Sequence, residues 1–119
     1  MTERTHRVAE NIKEELGWMV ERGEIKDPRI GFVTFTDAEV SKDLRHAKIF
    51  FSTLGNAKER AGLAEGLRSA RGYIRTELGR RLRLKYVPEI EFVFDESVEA
   101  GARISKLIHQ IHEREEKTD

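Results

Sequence analysis

The sequence predicts an α+β fold in which a small mixed three-stranded sheet carries helices on one face. Three observations lead there. Two runs with strand character are joined by a short polar turn, apolar stripes at helical spacing flank them, and a long helical stretch separates the second strand from the third. A crossover of that length favours parallel, right-handed pairing, so the expected order is α-β-β-α-kink-α-β-α.

The first helix is expected from about Thr5 to Arg22, because Val8, Ile12, Leu16 and Met19 recur at helical spacing between charged residues. Gly23 ends it, and Asp27-Pro28 directs the chain into an extended strand over Ile30 to Val40. Ser41-Lys42-Asp43 reads as a turn, since short polar side chains bond locally to the backbone. The second strand, Arg45 to Thr53, alternates Ala47, Ile49 and Phe51 against His46, Lys48, Phe50 and Ser52.

Gly55 closes that strand, and Asn56 with Glu59 has the spacing of a capping box opening the second helix. Leu63, Leu67 and Ala70 form its apolar stripe, which continues through Ile74, Leu78 and Leu82. Gly72 interrupts the run at a cost of about 1 kcal/mol relative to alanine, which predicts two helices joined near Ala70-Arg71-Gly72. Pro88 ends the basic region. Ile90, Phe92 and Phe94 then mark a third strand, and Val98, Ile104, Leu107, Ile108 and Ile111 a last amphipathic helix. One domain is expected over 1–112, with a charged, frayed tail over 113–119.

Composition excludes several classes. There is no cysteine, so disulfides and thiolate metal sites are ruled out and a reducing compartment is compatible. Met1 to Glu15 has no apolar core of signal-peptide length, and no apolar run is long enough to span a membrane. His109 and His112, with Glu113 or Glu116, make only a weak metal signal at an exposed helix end, and no metal is expected. No phosphate-binding glycine loop and no nucleophile with its base and orienting acid can be identified, so neither enzyme chemistry nor a cofactor is expected.

The formal charge is zero, yet it is segregated along the chain. Arg68, Arg71, Arg75, Arg80, Arg81, Arg83 and Lys85 face a single acid, Glu77, whereas the chain from Glu89 onward is predominantly acidic. Such a molecule can present a local positive field to phosphate while remaining neutral overall. Arg68, Arg71 and Arg75 fall at spacings of three and four, which places them on one helical face opposite the apolar stripe. These seven cations are the primary RNA-binding candidates. Arg4, Arg7, Lys42, Arg45 and Lys48 are secondary ones, for which plain surface charge explains as much. Trp18, Phe50 and Tyr73 are aromatic enough to stack on bases, but packing explains them better.

The element order is that of the type II KH domain, an RNA-binding fold. Asp27-Pro28-Arg29-Ile30-Gly31, Val40-Ser41-Lys42-Asp43-Leu44, Ala47-Lys48-Ile49, Ser69 through Gly79, Pro88-Glu89-Ile90-Glu91-Phe92 and Asp95-Glu96-Ser97 together resemble the ribosome-binding factor A family. The resemblance runs from Arg7 to about Leu107, and joint order makes it specific where each block alone is weak. The Gly-x-x-Gly loop of ordinary KH domains is missing, because Gly62 and Gly66 have the wrong spacing. Ala70-Arg71-Gly72 stands there instead and resembles that family's kinked junction, with Ala70 and Gly72 as the kink residues.

What the resemblance implies is a monomeric cytoplasmic factor that binds the free or immature small ribosomal subunit and its ribosomal RNA. Its role would be late maturation and processing of that RNA, without covalent chemistry. Two other classes compete. One is a general KH-like RNA module, which the missing loop argues against. The other is a protein-interaction domain using the last helix or a free sheet face bearing Val33, Phe35, Phe50 and Val93.

Overall fold

A computed structural model describes residues 2–97 of the 119-residue chain. Six elements follow in order: α1 (Glu3–Glu21), β1 (Thr34–Val40), β2 (His46–Ser52), α2 (Ala57–Ser69), α3 (Arg71–Arg81) and β3 (Glu89–Phe94). The strands lie in the order β1-β2-β3, with β1 antiparallel to β2 and β3 parallel to β2. The expected mixed sheet is therefore present. The last helix expected through Ile111, the tail 113–119 and the pair His109 and His112 lie outside the described residues.

One sheet face is closed by the helices. Ile12, Leu16 and Met19 from α1, Leu67 from α2, and Ile74 and Leu78 from α3 are fully buried against Ile49 and Phe51 of β2. Complete burial makes truncation costly, on the order of 2–5 kcal/mol for a leucine such as Leu78. The helix ends obey their sequence signals. Thr2 caps α1, the Asn56 and Glu59 capping box of α2 is closed at both bonds, and Gly23 ends α1 with φ 68°.

β1 begins four residues later than expected. Asp27 explains the delay: its carboxylate accepts from the Arg29 backbone N–H at 2.9 Å and from the Arg29 guanidinium at 2.7 Å. The Ile30 N–H bonds the Asp27 carbonyl at 3.0 Å, closing a turn where an extended strand was expected. Arg29 also donates to Ser69 Oγ at 3.1 Å, so this turn is fastened to the end of α2. A bulge then falls between Phe35 and Asp37. It returns Phe35 to the covered face, where its ring lies 6.4 Å from Phe92, so Phe35 is not part of the free face proposed from alternation.

The helical run breaks at Ala70, within the expected Ala70-Arg71-Gly72 junction. A Cβ on Gly72 meets nothing within 4 Å, whereas one on Gly79 would lie 2.6 Å from Val87 Cγ2. Gly79 is thus the glycine of α3 that the fold requires, because the chain returning toward β3 lies directly on it.

The Arg29 guanidinium and backbone N–H hold the Asp27 carboxyl at about 2, well below the usual carboxylate range. A depressed carboxylate stabilises the fold above its unfolded value, and that contribution is lost as pH falls through the folded value. Acid titration of stability should therefore show a loss between about pH 4 and pH 2, and Asp27→Asn should remove that component while lowering Tm at neutral pH.

Candidate nucleic-acid interface

The break at Ala70 divides the basic stretch between two helices, so Arg68 on α2 does not share a helical face with Arg71 and Arg75 on α3. The seven candidate cations then separate by what they touch.

Arg81 faces inward. Ile74, Leu78 and Arg81 follow the i, i+4, i+7 spacing of one helical stripe, and the first two are fully buried. Arg81 Nη1 lies 2.8 Å from Glu24 Oε2 and 3.1 Å from Glu15 Oε1, and its Nε lies 3.3 Å from Glu77 Oε2. Hydrogen bonds donated to Glu24 and then Glu15 push its pKa further up, and Arg80, with Arg81, holds Glu77 below the ordinary carboxylate value. This cation, expected among the RNA contacts, is instead engaged by three carboxylates and ties α3 to α1 and the segment that follows it.

Arg75 is also engaged. Its Nε and Nη2 donate to the carbonyls of Pro88 and Val87 at 3.0 Å each, and Nη2 lies 3.4 Å from Glu89. It clasps the connection between α3 and β3 onto the helix. Arg68 and Arg80 are exposed and pair with Glu65 and Glu77, three residues earlier on their own helices. Exposed pairs of this kind are worth little and exchange readily for a better anion.

Arg71, Arg83 and Lys85 remain. All three are exposed, and among the described residues none has a carboxylate partner. Arg71 opens α3 and lies at the rim of a mixed-charge cleft at one end of the sheet, lined by Ser41, His46 and Lys48 and also by Glu39, Glu89 and Glu91. Arg83 and Lys85 lie on the turn that leaves α3.

The secondary candidates divide likewise. Lys48 sits in register between Glu39 on β1 and Glu91 on β3, and the open sheet face also carries Asp37 and Glu89. That face repels phosphate. Lys42 and Arg45 are exposed around the hairpin turn, where Asp43 accepts from Ser41 Oγ and the Arg45 N–H. Arg4 lies in the first turn of α1, and Arg7 there makes an exposed 3.5 Å pair with Glu3. Among the aromatics, Phe50 is half-buried beside Val93, Tyr73 is 45% exposed, and Trp18, expected in the packing surface, is 44% exposed with the Arg22 guanidinium 5.0 Å above its ring.

Tyr86 escaped the sequence reading. It is 62% exposed, and Lys85 Nζ lies 5.7 Å from its ring. The alternation Arg83, Lys85, Tyr86 beyond a helix end was the available signal. No group of three His, Asp or Glu among the described residues is placed to hold a metal ion, and no described helix is long and apolar enough to cross a membrane.

The inward tie can be tested directly. Arg81→Gln leaves Glu15, Glu24 and Glu77 facing one another, and Tm should fall by several degrees at neutral pH. Glu77 is held below the ordinary carboxylate value by Arg80 and Arg81, a contribution present above its unfolded value and lost on acidification, so the gap from the unsubstituted protein should narrow as pH falls.

Comparison with known proteins agrees with this architecture. Residues 4–108 match the family model for Ribosome-binding factor A. The chain is 50% identical over 114 residues to the ribosome-binding factor A of Halothermothrix orenii, covering 96% of this chain and 93% of that one. Its fold is similar to the solution NMR structure of a Thermotoga maritima protein assigned to ribosome binding factor A, at TM-score 0.67 and 36% identity, over 76% of this chain and 86% of that one. It is also similar in fold, at TM-score 0.56 and 20% identity, to a Thermus thermophilus ribosome binding factor A homology model fitted into the cryo-EM map of a 30S–RbfA complex, over 72% of this chain and 93% of that one. With the family model matched over residues 4–108 and 50% identity to a relative over 96% of the chain, this chain belongs to the ribosome-binding factor A family.

Proposed function

We propose that this chain binds the free or immature small ribosomal subunit in the cytoplasm and assists late maturation and processing of its ribosomal RNA. It acts as a single domain and a monomer, without covalent chemistry. The observation that carries the reading is the set of exposed cations left without carboxylate partners: Arg71, Arg83 and Lys85. Arginine suits this task because its planar fork donates paired hydrogen bonds to phosphate. Family membership supplies the ribosome as the partner, and local charge supplies a means of holding its RNA. A rigid surface that binds one arrangement of the RNA more tightly than another shifts the population toward it.

The division of cations sharpens the seven-residue surface expected from sequence. Arg71, Arg83 and Lys85 make the principal phosphate contacts, and Arg68 and Arg80 join by exchanging their glutamates. Arg75 and Arg81 hold the scaffold. Co-sedimentation with purified free small subunits across a salt series tests this. Reversing Arg71, Arg83 and Lys85 to glutamate should weaken binding at least tenfold and flatten the log-log salt slope by roughly 2 to 3, with the melting temperature little changed. Unchanged affinity and slope would remove this surface from the account.

A further inference from the structure

Two helices of this chain close through a left-handed residue, and they do so with different residue types. α1 ends on Gly23, φ 68°, with the Glu24 N–H donating to the Met19 carbonyl at 2.9 Å. α3 ends in the same pattern, the Leu84 N–H donating to the Gly79 carbonyl at 3.1 Å, but its left-handed residue is Arg83, φ 53°. Glycine adopts this conformation freely, whereas a Cβ crowds the neighbouring carbonyl.

The other non-glycine residue with positive φ among those described, Leu44 at 61°, packs its side chain against the core. That packing offsets its strain. Arg83 has no such compensation: it is exposed, and among the described residues its guanidinium has no hydrogen-bond or ion-pair partner. Helix-dipole complementarity does not account for it either, because Arg80 and Arg81 already occupy the last turn. An arginine held where the fold alone favours glycine points outward, to a ligand.

The turn carrying it is fixed at both ends. At its start the Leu84 N–H bonds the Gly79 carbonyl, and at its far end the Val87 side chain packs on Gly79 while Arg75 donates to the Val87 and Pro88 carbonyls. Between these anchors, Tyr86 stands 62% exposed beside Lys85. An exposed aromatic plane beside Lys85, with the exposed Arg83 three residues earlier on the same anchored turn, matches the chemistry of an unstacked nucleotide, which offers an anionic phosphate and a π-face together.

Resting on the small-subunit reading above, we propose that residues 83–86 form a nucleotide-binding turn. Arg83 holds a phosphate, and Tyr86 stacks on the adjacent unpaired base of ribosomal RNA.

The test measures binding of the full chain to purified free small subunits across a salt series, alongside thermal melts, for R83G, Y86A, Y86F and R71E. R83G should melt a few degrees higher than the unsubstituted protein yet bind several-fold more weakly, its salt slope reduced by about 0.7 to 0.9. Y86A should bind roughly tenfold more weakly at unchanged salt slope and melting temperature, while Y86F binds normally because the stacking plane survives. If R83G melts lower, or if either R83G or Y86A binds normally while R71E is weakened, the nucleotide-binding turn is wrong and the broader small-subunit reading stands. If the unsubstituted chain does not bind small subunits, both are overturned.

Discussion

The tie between Arg81 and the carboxylates of Glu15, Glu24 and Glu77 is the constraint on which the outer surface depends. A cation in the inward stripe of α3 must be neutralised if the helix is to lie against its neighbours, and α1 with the segment after it provides the acids. Once Arg81 points inward, the rotation of α3 about its axis is set. Ile74 and Leu78 enter the core on the same stripe, Arg75 is brought to the chain entering β3, and Arg71 is left at the sheet-end cleft. A pair of this kind is a poor general source of stability, since desolvation opposes the attraction, but removing one partner strands the rest. Its value here is geometric.

This tie also resolves how a neutral chain can present charge. The seven cations between Arg68 and Lys85 do not act as one patch. Two are engaged by the scaffold, two are paired along their own helices, and three have no carboxylate partner among the described residues. The open sheet face is acidic in register, with Lys48 flanked by Glu39 and Glu91, whereas exposed cations without carboxylate partners gather around α3. Neutral totals therefore conceal a segregation of charge between the sheet face and the region around α3, which is what the proposed RNA contact draws on.

Much of the fold was legible in the sequence because its signals were local and mutually consistent. The apolar stripe of α1, the capping box at Asn56, the alternation of β2 and the helical crossover all point to one architecture. What was not legible depended on partners distant in sequence. The start of β1 moved because Asp27 bonds Arg29 and that turn docks on Ser69, and Phe35 changed faces through a bulge that alternation cannot reveal. The site was legible as charge but not as geometry. The i, i+4, i+7 relation of Arg81 to Ile74 and Leu78 was present in the sequence, yet only the position of Glu15 and Glu24 gives it meaning. The strain at Arg83 depends on how α3 closes, which no residue spacing encodes.

The central claim is that exposed, unpaired cations beside α3 meet RNA while the sheet face does not. Amine-reactive labelling of the full chain, free and bound to small subunits, reads this directly through two lysines of opposite surroundings. Lys85 should lose most of its reactivity in the complex, and Lys48, which shares the Arg71 cleft but sits between Glu39 and Glu91, should lose markedly less. Protection of Lys48 with Lys85 still fully reactive would contradict the claim.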